Sequence, residues 1–389
     1  MDIKIQPGIL SGSVLAPPSK SMAHRYLICA AFADSSTTLI CPQTNADISA
    51  TVDCLNQLGA QIRQTPTGFE ITPVSCPPKM ANLNCRESGS TLRFLLPIVG
   101  ALGIRTTLYM SGRLPERPLQ PLIREMERMG CHIFQETDRS ITCAGILKPG
   151  HYRINGSVSS QFVSGLLLAL PLIGGDSTLE ITGEPTSQNY IAMTKAVLEE
   201  FAGGATPGTA TVEGDWSSAA FWLAANALGS HIQLEGLNEH SLQGDKAISA
   251  LLDQLKEHCV ISAKDIPDLI PILSVVAAAR KGAVFTDVGR LREKESDRVY
   301  AIVDLLTCLG GKAEATEDTL TIYGTGLTGG TVSSSWDHRI AMAAAIAATV
   351  CEKSVLLTYA ECVSKSYPSF WAEFQRLGGK LCKVNTETT

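Results

Sequence analysis

IVDLLTCLGG, residues 302–311, is an amphipathic run closed by a hydrophobic residue and a glycine, and three other stretches share its build: TVDCLNQLGA (51–60), LIREMERMGC (122–131) and FWAEFQRLGG (370–379). The spacing predicts a helix in each, ended by a glycine C-cap. Fainter copies begin at Lys195 (KAVLEEFAGG) and Ala247 (AISALLDQLK). Each clear copy is followed by a short alternating stretch such as GFEITP (68–73) or TLTIYG (319–324), the pattern of a strand.

A second kind of helix, apolar nearly all round, lies between these copies: SKSMAHRYLICAA from Ser19, SGSTLRFLLPIVG from Ser88, SSQFVSGLLLALP from Ser159, SSAAFWLAANALG from Ser217, DIPDLIPILSVVAAA from Asp265 and DHRIAMAAAIAAT from Asp337. Such helices must be buried, and the Ser or Asp at their starts suits an N-cap. The order strand, buried helix, strand, amphipathic helix, strands then recurs six times. This implies an α/β fold of two similar domains, each of three βαβαββ units. The Gly/Pro/Thr-rich stretch 203–211 marks the boundary, giving one domain over 19–212 and a second, discontinuous one over 1–18 and 213–389. The helix-free stretches IKIQPG (3–8) and GSVLAPP (12–18) are expected to add strands to the last unit, which otherwise ends on KLCKV (380–384).

The 389 residues are enough for two cores, and 44% hydrophobic against 18% charged residues is a globular balance. A net charge of −6 offers no footprint for nucleic acid or an anionic membrane. The N-terminus lacks a signal-peptide pattern, and the longest apolar runs (166–173, 340–351) fall short of a bilayer span. Twelve cysteines without a C-x-x-C pair argue for reduced thiols rather than a zinc site or disulfide framework. A cytoplasmic monomer is expected. GTGLTG (324–329) spells a dinucleotide fingerprint, but no helix opens after it, and PPSKS lacks the glycine before lysine of a phosphate loop.

A helix start carries unpaired N–H groups and partial positive charge, so the six buried helix starts are candidate anion sites. Lys20, Arg25, Arg93, Arg117, Lys294, Arg298, Arg339 and Lys365 lie in or beside them, interleaved with Ser21, Ser90, Ser159, Ser160, Gln161 and Ser187. One such cation is ordinarily just solvated. Gathered together they suit phosphate and carboxylate. Asp268 and Glu295 are the acidic exceptions, open to two readings: a cap or local ion pair, or a carboxylate kept ionised for proton transfer.

PPSKSMAHR, ESGSTLRFL, PERPLQPL, SSQFVSGLLLALP, EGDWSSAAFWLAA, DIPDLIPI, REKESDR, DHRIAMA and SKSYP, in this order, resemble the motif series of the 3-phosphoshikimate 1-carboxyvinyltransferases, of the enolpyruvyl transferase family. The resemblance spans almost the whole chain. It implies an inside-out α/β barrel in each domain, with substrates bound in a cleft that closes on them. It also implies enolpyruvyl transfer from phosphoenolpyruvate to the 5-hydroxyl of 3-phosphoshikimate, with no cofactor. Carried over by motif, Lys20, Ser21, Arg25, Ser159, Ser160, Gln161, Ser187, Asp268 and Lys294 would meet phosphoshikimate. Lys20, Gly89, Arg117, Gln161, Arg298, Arg339 and Lys365 would meet phosphoenolpyruvate. Asp268, Glu295 and Lys20 would share the proton transfers.

The sequence departs from the family pattern at Glu87 and Ser90, where Asn and Thr are common, and at Arg290, where Asn or Glu is common. The third and fourth units are short, so trimmed outer edges are expected. Two rivals stand beside this reading. The sister transferase acting on UDP-N-acetylglucosamine carries a loop cysteine and an Asn after its lysine, where this chain has SGRLPERP and Ser21. A non-catalytic anion-binding clamp would have no need of Asp268 or Glu295.

Overall fold

The computed structural model describes residues 1–202 and 207–384, so part of the boundary stretch 203–211 lies outside the described residues. The chain forms two compact units, Pro18–Glu213 and Met1–Pro17 with Gly214–Thr389. Each has its own hydrophobic core.

The N-terminal unit holds α1 (Lys20–Ala31), α2 (Ala46–Gln57), α3 (Gly89–Ala101), α4 (Gln120–Arg128), α5 (Ser160–Ala169) and α6 (Gln188–Phe201). The C-terminal unit holds α7 (Trp216–Ala227), α8 (Ile248–Gln254), α9 (Ile270–Ala279), α10 (Arg298–Cys308), α11 (His338–Val350) and α12 (Phe370–Arg376). Helices of odd number are the six apolar ones and are buried almost throughout. They pack on one another at the centre of each unit, α3 on α5 and α11 on α9 and α7. The α3–α5 approach is close enough to require glycine, because a Cβ on Gly165 would lie 2.1 Å from the Arg93 carbonyl oxygen. Even-numbered helices bury one face, and the glycines after α2, α4, α10 and α12 (Gly59, Gly130, Gly310, Gly378) all have positive φ.

Two sheets in each unit have four strands. In the N-terminal unit they run Thr209–Thr211, Thr37–Ile40, Gly68–Thr72, Gln61–Thr65 and Met80–Asn84, Arg105–Tyr109, Ser140–Gly145, Cys131–Thr137. In the C-terminal unit they run Cys259–Ser262, Ala283–Thr286, Thr319–Tyr323, Lys312–Ala315 and Thr331–Ser333, Val355–Thr358, Asp2–Ile5, Leu381–Val384. The first pair in each is parallel and the others antiparallel. The third and fourth repeats end after two parallel strands, His151–Asn155 with Thr178–Thr182 and Ser11–Leu15 with His231–Glu235. These are the trimmed repeats that the short sequence intervals imply.

Three details differ from the sequence reading. IKIQPG does supply the last unit with a strand, Asp2–Ile5, but GSVLAPP joins the fourth repeat, where Ser11–Leu15 runs parallel to His231–Glu235. The strand just before α7, Thr209–Thr211, pairs in turn with Thr37–Ile40, the strand after α1. Opening strands are thus exchanged between the first and fourth repeats, and each parallel pair is still completed. The cap of α7 is Asp215, not Ser217, because the Asp215 carboxylate accepts from the Ser217 N–H at 2.9 Å. α9 starts only at Ile270, after Leu269, so the helix opens beyond both Asp265 and Asp268.

Candidate active site

Buried polar contacts tie together the starts of five helices in the N-terminal unit. Ser19 caps α1 and Ser88 caps α3. Lys20, at the start of α1, donates from Nζ to Asp47 Oδ2 in the first turn of α2 at 2.9 Å. One turn on, His24 Nδ1 lies 2.8 Å from Thr51 Oγ1 of α2, which lies 2.7 Å from Thr91 Oγ1 of α3, and that hydroxyl donates to Ser88 at 2.7 Å. Burial lowers the His24 imidazole to about 3, so this relay is neutral. Gln161, in the first turn of α5, accepts from Arg93 Nη1 at 2.9 Å and donates to Ser90 Oγ at 3.0 Å, bridging to α3.

Arg25 is 2% exposed. It donates to Thr194 Oγ1, the Ser21 carbonyl, Ser164 Oγ and the Tyr190 carbonyl at 2.6–3.3 Å, joining α1 to α5 and α6. Burial lowers it to about 10, which leaves it charged at neutral pH. A Cβ on Gly89 would lie 2.6 Å from Arg93 Nη1 and 3.0 Å from Arg117 Nη1, so both guanidiniums lie against the start of α3. Ser159 caps α5, Ser160 is buried at its first position, and Ser187 precedes α6 with φ 54° and ψ 48°. Non-glycine residues held in that region concentrate at ligand sites.

In the C-terminal unit one guanidinium organises the acids. Arg298, 1% exposed at the start of α10, donates from Nη1 to Asp268 (2.6 Å), from Nη2 to Glu295 (2.8 Å) and from Nε to Asp337 (2.8 Å). Arg339 Nη2 meets the other Asp268 oxygen at 3.2 Å. Asp337 also caps α11, accepting from the Arg339 N–H, and accepts from Ser296 Oγ at 3.1 Å. Burial would raise the Asp268 carboxyl, but Arg339, Lys294 and Arg298 hold it well below the usual carboxylate range. Lys294 is lowered to about 8 by burial, with Arg298 and Arg290 adding to the effect. Lys365 ends the 3₁₀ turn Ala360–Lys365 and is half-buried.

The two candidate acids therefore share one arginine, and Arg339 braces the first of them. Sequence reasoning missed Asp47, Thr51 and Thr91, which sit inside ordinary helical patterns, and the second role of Asp337, whose position showed only a cap. It also missed Asp245, 3% exposed in the turn before α8, which accepts from Ser217 Oγ. Burial and then Asp268 raise this acid to about 7, against the opposing pull of Arg339. Among the described residues no group of three or more His, Cys, Asp or Glu is arranged to hold a metal ion, and no helix is long and apolar enough to cross a membrane. The twelve cysteines are free.

Repeats of this kind, three to a unit with cations at the buried helix starts, define an enolpyruvyl transferase fold. An EPSP synthase from Acinetobacter baumannii matches it with a TM-score of 0.80 at 22% identity, over 98% of this chain and 100% of that one. The enolpyruvyl transferase NikO from Streptomyces tendae matches with 0.76 at 18% identity, over 98% of each chain. The sequence model of EPSP synthase (3-phosphoshikimate 1-carboxyvinyltransferase) matches residues 5–265 and 256–374. A 3-phosphoshikimate 1-carboxyvinyltransferase from Clostridium kluyveri is 39% identical, over 97% of this chain and 98% of the relative. One from Clostridium beijerinckii is 37% identical over 99% of both. The chain belongs to the EPSP synthase family and is an enzyme.

Proposed function

We propose that this chain transfers the enolpyruvyl group of phosphoenolpyruvate to the 5-hydroxyl of 3-phosphoshikimate, releasing phosphate, as a step of the shikimate pathway of aromatic amino acid biosynthesis. The observation that carries the reading is the pair of carboxylates on Arg298, one of them shared with Arg339. A secondary alcohol attacks well only when a base takes its proton, and phosphoenolpyruvate accepts attack only as its methylene carbon is protonated.

In this reading Asp268 takes the 5-hydroxyl proton as the oxygen bonds to C2 of phosphoenolpyruvate, and Glu295 delivers a proton to the methylene carbon. The tetrahedral intermediate then expels phosphate, and the new methyl group returns a proton to restore the vinyl ether. Lys20, steadied by Asp47, would serve both substrates. Ser21, Arg25, Ser159, Ser160, Gln161, Ser187 and Lys294 would hold phosphoshikimate. Gly89, Arg117, Gln161, Arg298, Arg339 and Lys365 would hold phosphoenolpyruvate.

Asp268 so deeply stabilised as an anion is a weak base. An anionic substrate on Arg339 competes for the guanidinium that braces Asp268 Oδ2, and the carboxylate's affinity for a proton rises. Substrate binding would thereby prepare the base. The protein would act as a cytoplasmic monomer.

Phosphate release in a mixture of both substrates tests the reaction, with UDP-N-acetylglucosamine replacing phosphoshikimate as the control. Release that needs phosphoshikimate supports the assignment. Release with the UDP-sugar alone would assign the chain to the sister activity, and release with neither would refute both.

A further inference from the structure

Parallel strands Thr331–Ser333 and Val355–Thr358 lie side by side, in register Ser333 with Thr358, and each turns sharply as it ends. One turn leads into α11 and Arg339, the other into the 3₁₀ turn that ends at Lys365. Both contain non-glycine residues with left-handed backbone: Ser335 and Trp336 at φ 52° and 55°, Tyr359 at φ 56°. Side chains disfavour that region, and where they are held in it the surrounding structure imposes it.

The Trp336 and Tyr359 rings stack with centroids 4.9 Å apart and planes 31° from parallel. They remain 56% and 43% exposed, so core burial does not account for them. The backbone beneath is cross-linked as well. Ser334 Oγ donates to the Tyr359 carbonyl at 3.1 Å and accepts from the Trp336 N–H at 3.2 Å, and the Ser334 N–H donates to the Thr358 carbonyl. From the stack, one residue separates Trp336 from His338, the first residue of α11, and Ala360 follows Tyr359 directly.

We propose that the Trp336–Tyr359 stack is a positioning clamp that fixes the spacing of Arg339 and Lys365, and so sets the affinity of the phosphoenolpyruvate subsite. It touches no reacting atom. The inference rests on the assignment of Arg339 and Lys365 to phosphoenolpyruvate made above.

Steady-state kinetics on Trp336→Ala, Tyr359→Ala, the double variant and the conservative Trp336→Phe test it, with Arg339→Ala alongside. Each single alanine variant should raise KM for phosphoenolpyruvate about fivefold, the scale of an aromatic pair. KM for phosphoshikimate and kcat should change less than about twofold, and Trp336→Phe should restore most of the loss. Because the rings act as one unit, the double variant should be little worse than either single one.

Fully additive losses, equal rises in both KM values, or an unchanged KM for phosphoenolpyruvate in a folded Trp336→Ala protein would overturn the clamp. If Arg339→Ala also leaves that KM unchanged, the subsite assignment falls and takes the clamp with it. If Arg339→Ala raises it and Trp336→Ala does not, the clamp alone is wrong.

Discussion

Asp268 lies two residues before the start of α9, and its carboxylate is engaged by Arg298 and Arg339. Asp268→Asn keeps the shape but neither the charge nor the ability to take a proton at neutral pH. The rate constant should fall by roughly 10²-fold or more, with KM values changed far less. Thermal melting must accompany the assay, because the change leaves Arg298 short of one buried partner. A stable, fully active variant would rule out the base and move the role to Lys20 or Glu295. Asp245 permits a second test, through pH. It faces Ser217 and Asp215 from α7, Asp268 from the segment before α9 and Arg339 from α11. With its pKa raised to about 7, its contribution to folding is fully present below the unfolded value of about 3.9 and is lost as pH rises through 7. Asp245→Asn can still accept from Ser217 and does not ionise. Its Tm relative to the parent protein should therefore climb between about pH 5 and pH 8. A difference that stays flat across that window would mean Asp245 does not hold a raised pKa.

Helices were the part of the fold most legible in the sequence, because their signals are local. The apolar runs of α3 and α11 and the glycine after each of four amphipathic helices state the element and its end within a dozen residues. The exchange of Ser11–Leu15 and Thr209–Thr211 between repeats was not legible. Either strand could close either sheet by composition, and only long-range register decides. At the site, the cations and serines at helix starts could be read, whereas Asp47 meets Lys20, and Thr51 meets His24 and Thr91, only once three helices have packed. A paired substitution tests the glycine argument. Gly310 and Gly326 both have positive φ, but a Cβ on Gly310 would lie 2.3 Å from Thr328 Oγ1, while one on Gly326 would meet nothing within 4 Å. Gly310→Ala should cost more stability in urea unfolding than Gly326→Ala, which should lose about 1 kcal/mol from backbone strain alone. Equal losses would mean that Thr328 moves aside at no cost.

At the scale of the molecule, the N-terminal unit is one continuous stretch of chain, Pro18–Glu213, with a core drawn entirely from its own residues and sheets closed among its own strands. Its size is one at which a single core suffices, so the fragment 18–213 should fold by itself and melt in one cooperative transition. It retains Lys20, Ser21, Arg25, Ser159, Ser160, Gln161 and Ser187, so phosphoshikimate should raise its Tm although the fragment lacks Asp268 and Glu295 and cannot turn over. A shorter fragment, 18–207, removes the strand Thr209–Thr211 and with it the parallel partner of Thr37–Ile40. It also loses the bonds from the Val212 N–H to Ile40 O (3.0 Å) and from the Ser19 N–H to Glu213 O (2.8 Å), the second of which anchors the residue that caps α1. Bared backbone groups beside buried Leu39 and a loosened α1 should lower its Tm by several degrees. The response to phosphoshikimate should weaken as well, because Lys20 and Ser21 lie in the first turn of α1. If 18–213 shows no cooperative transition, its core depends on the other unit. If the two fragments melt alike, the exchanged strand merely decorates the sheet and does not hold the first repeat together.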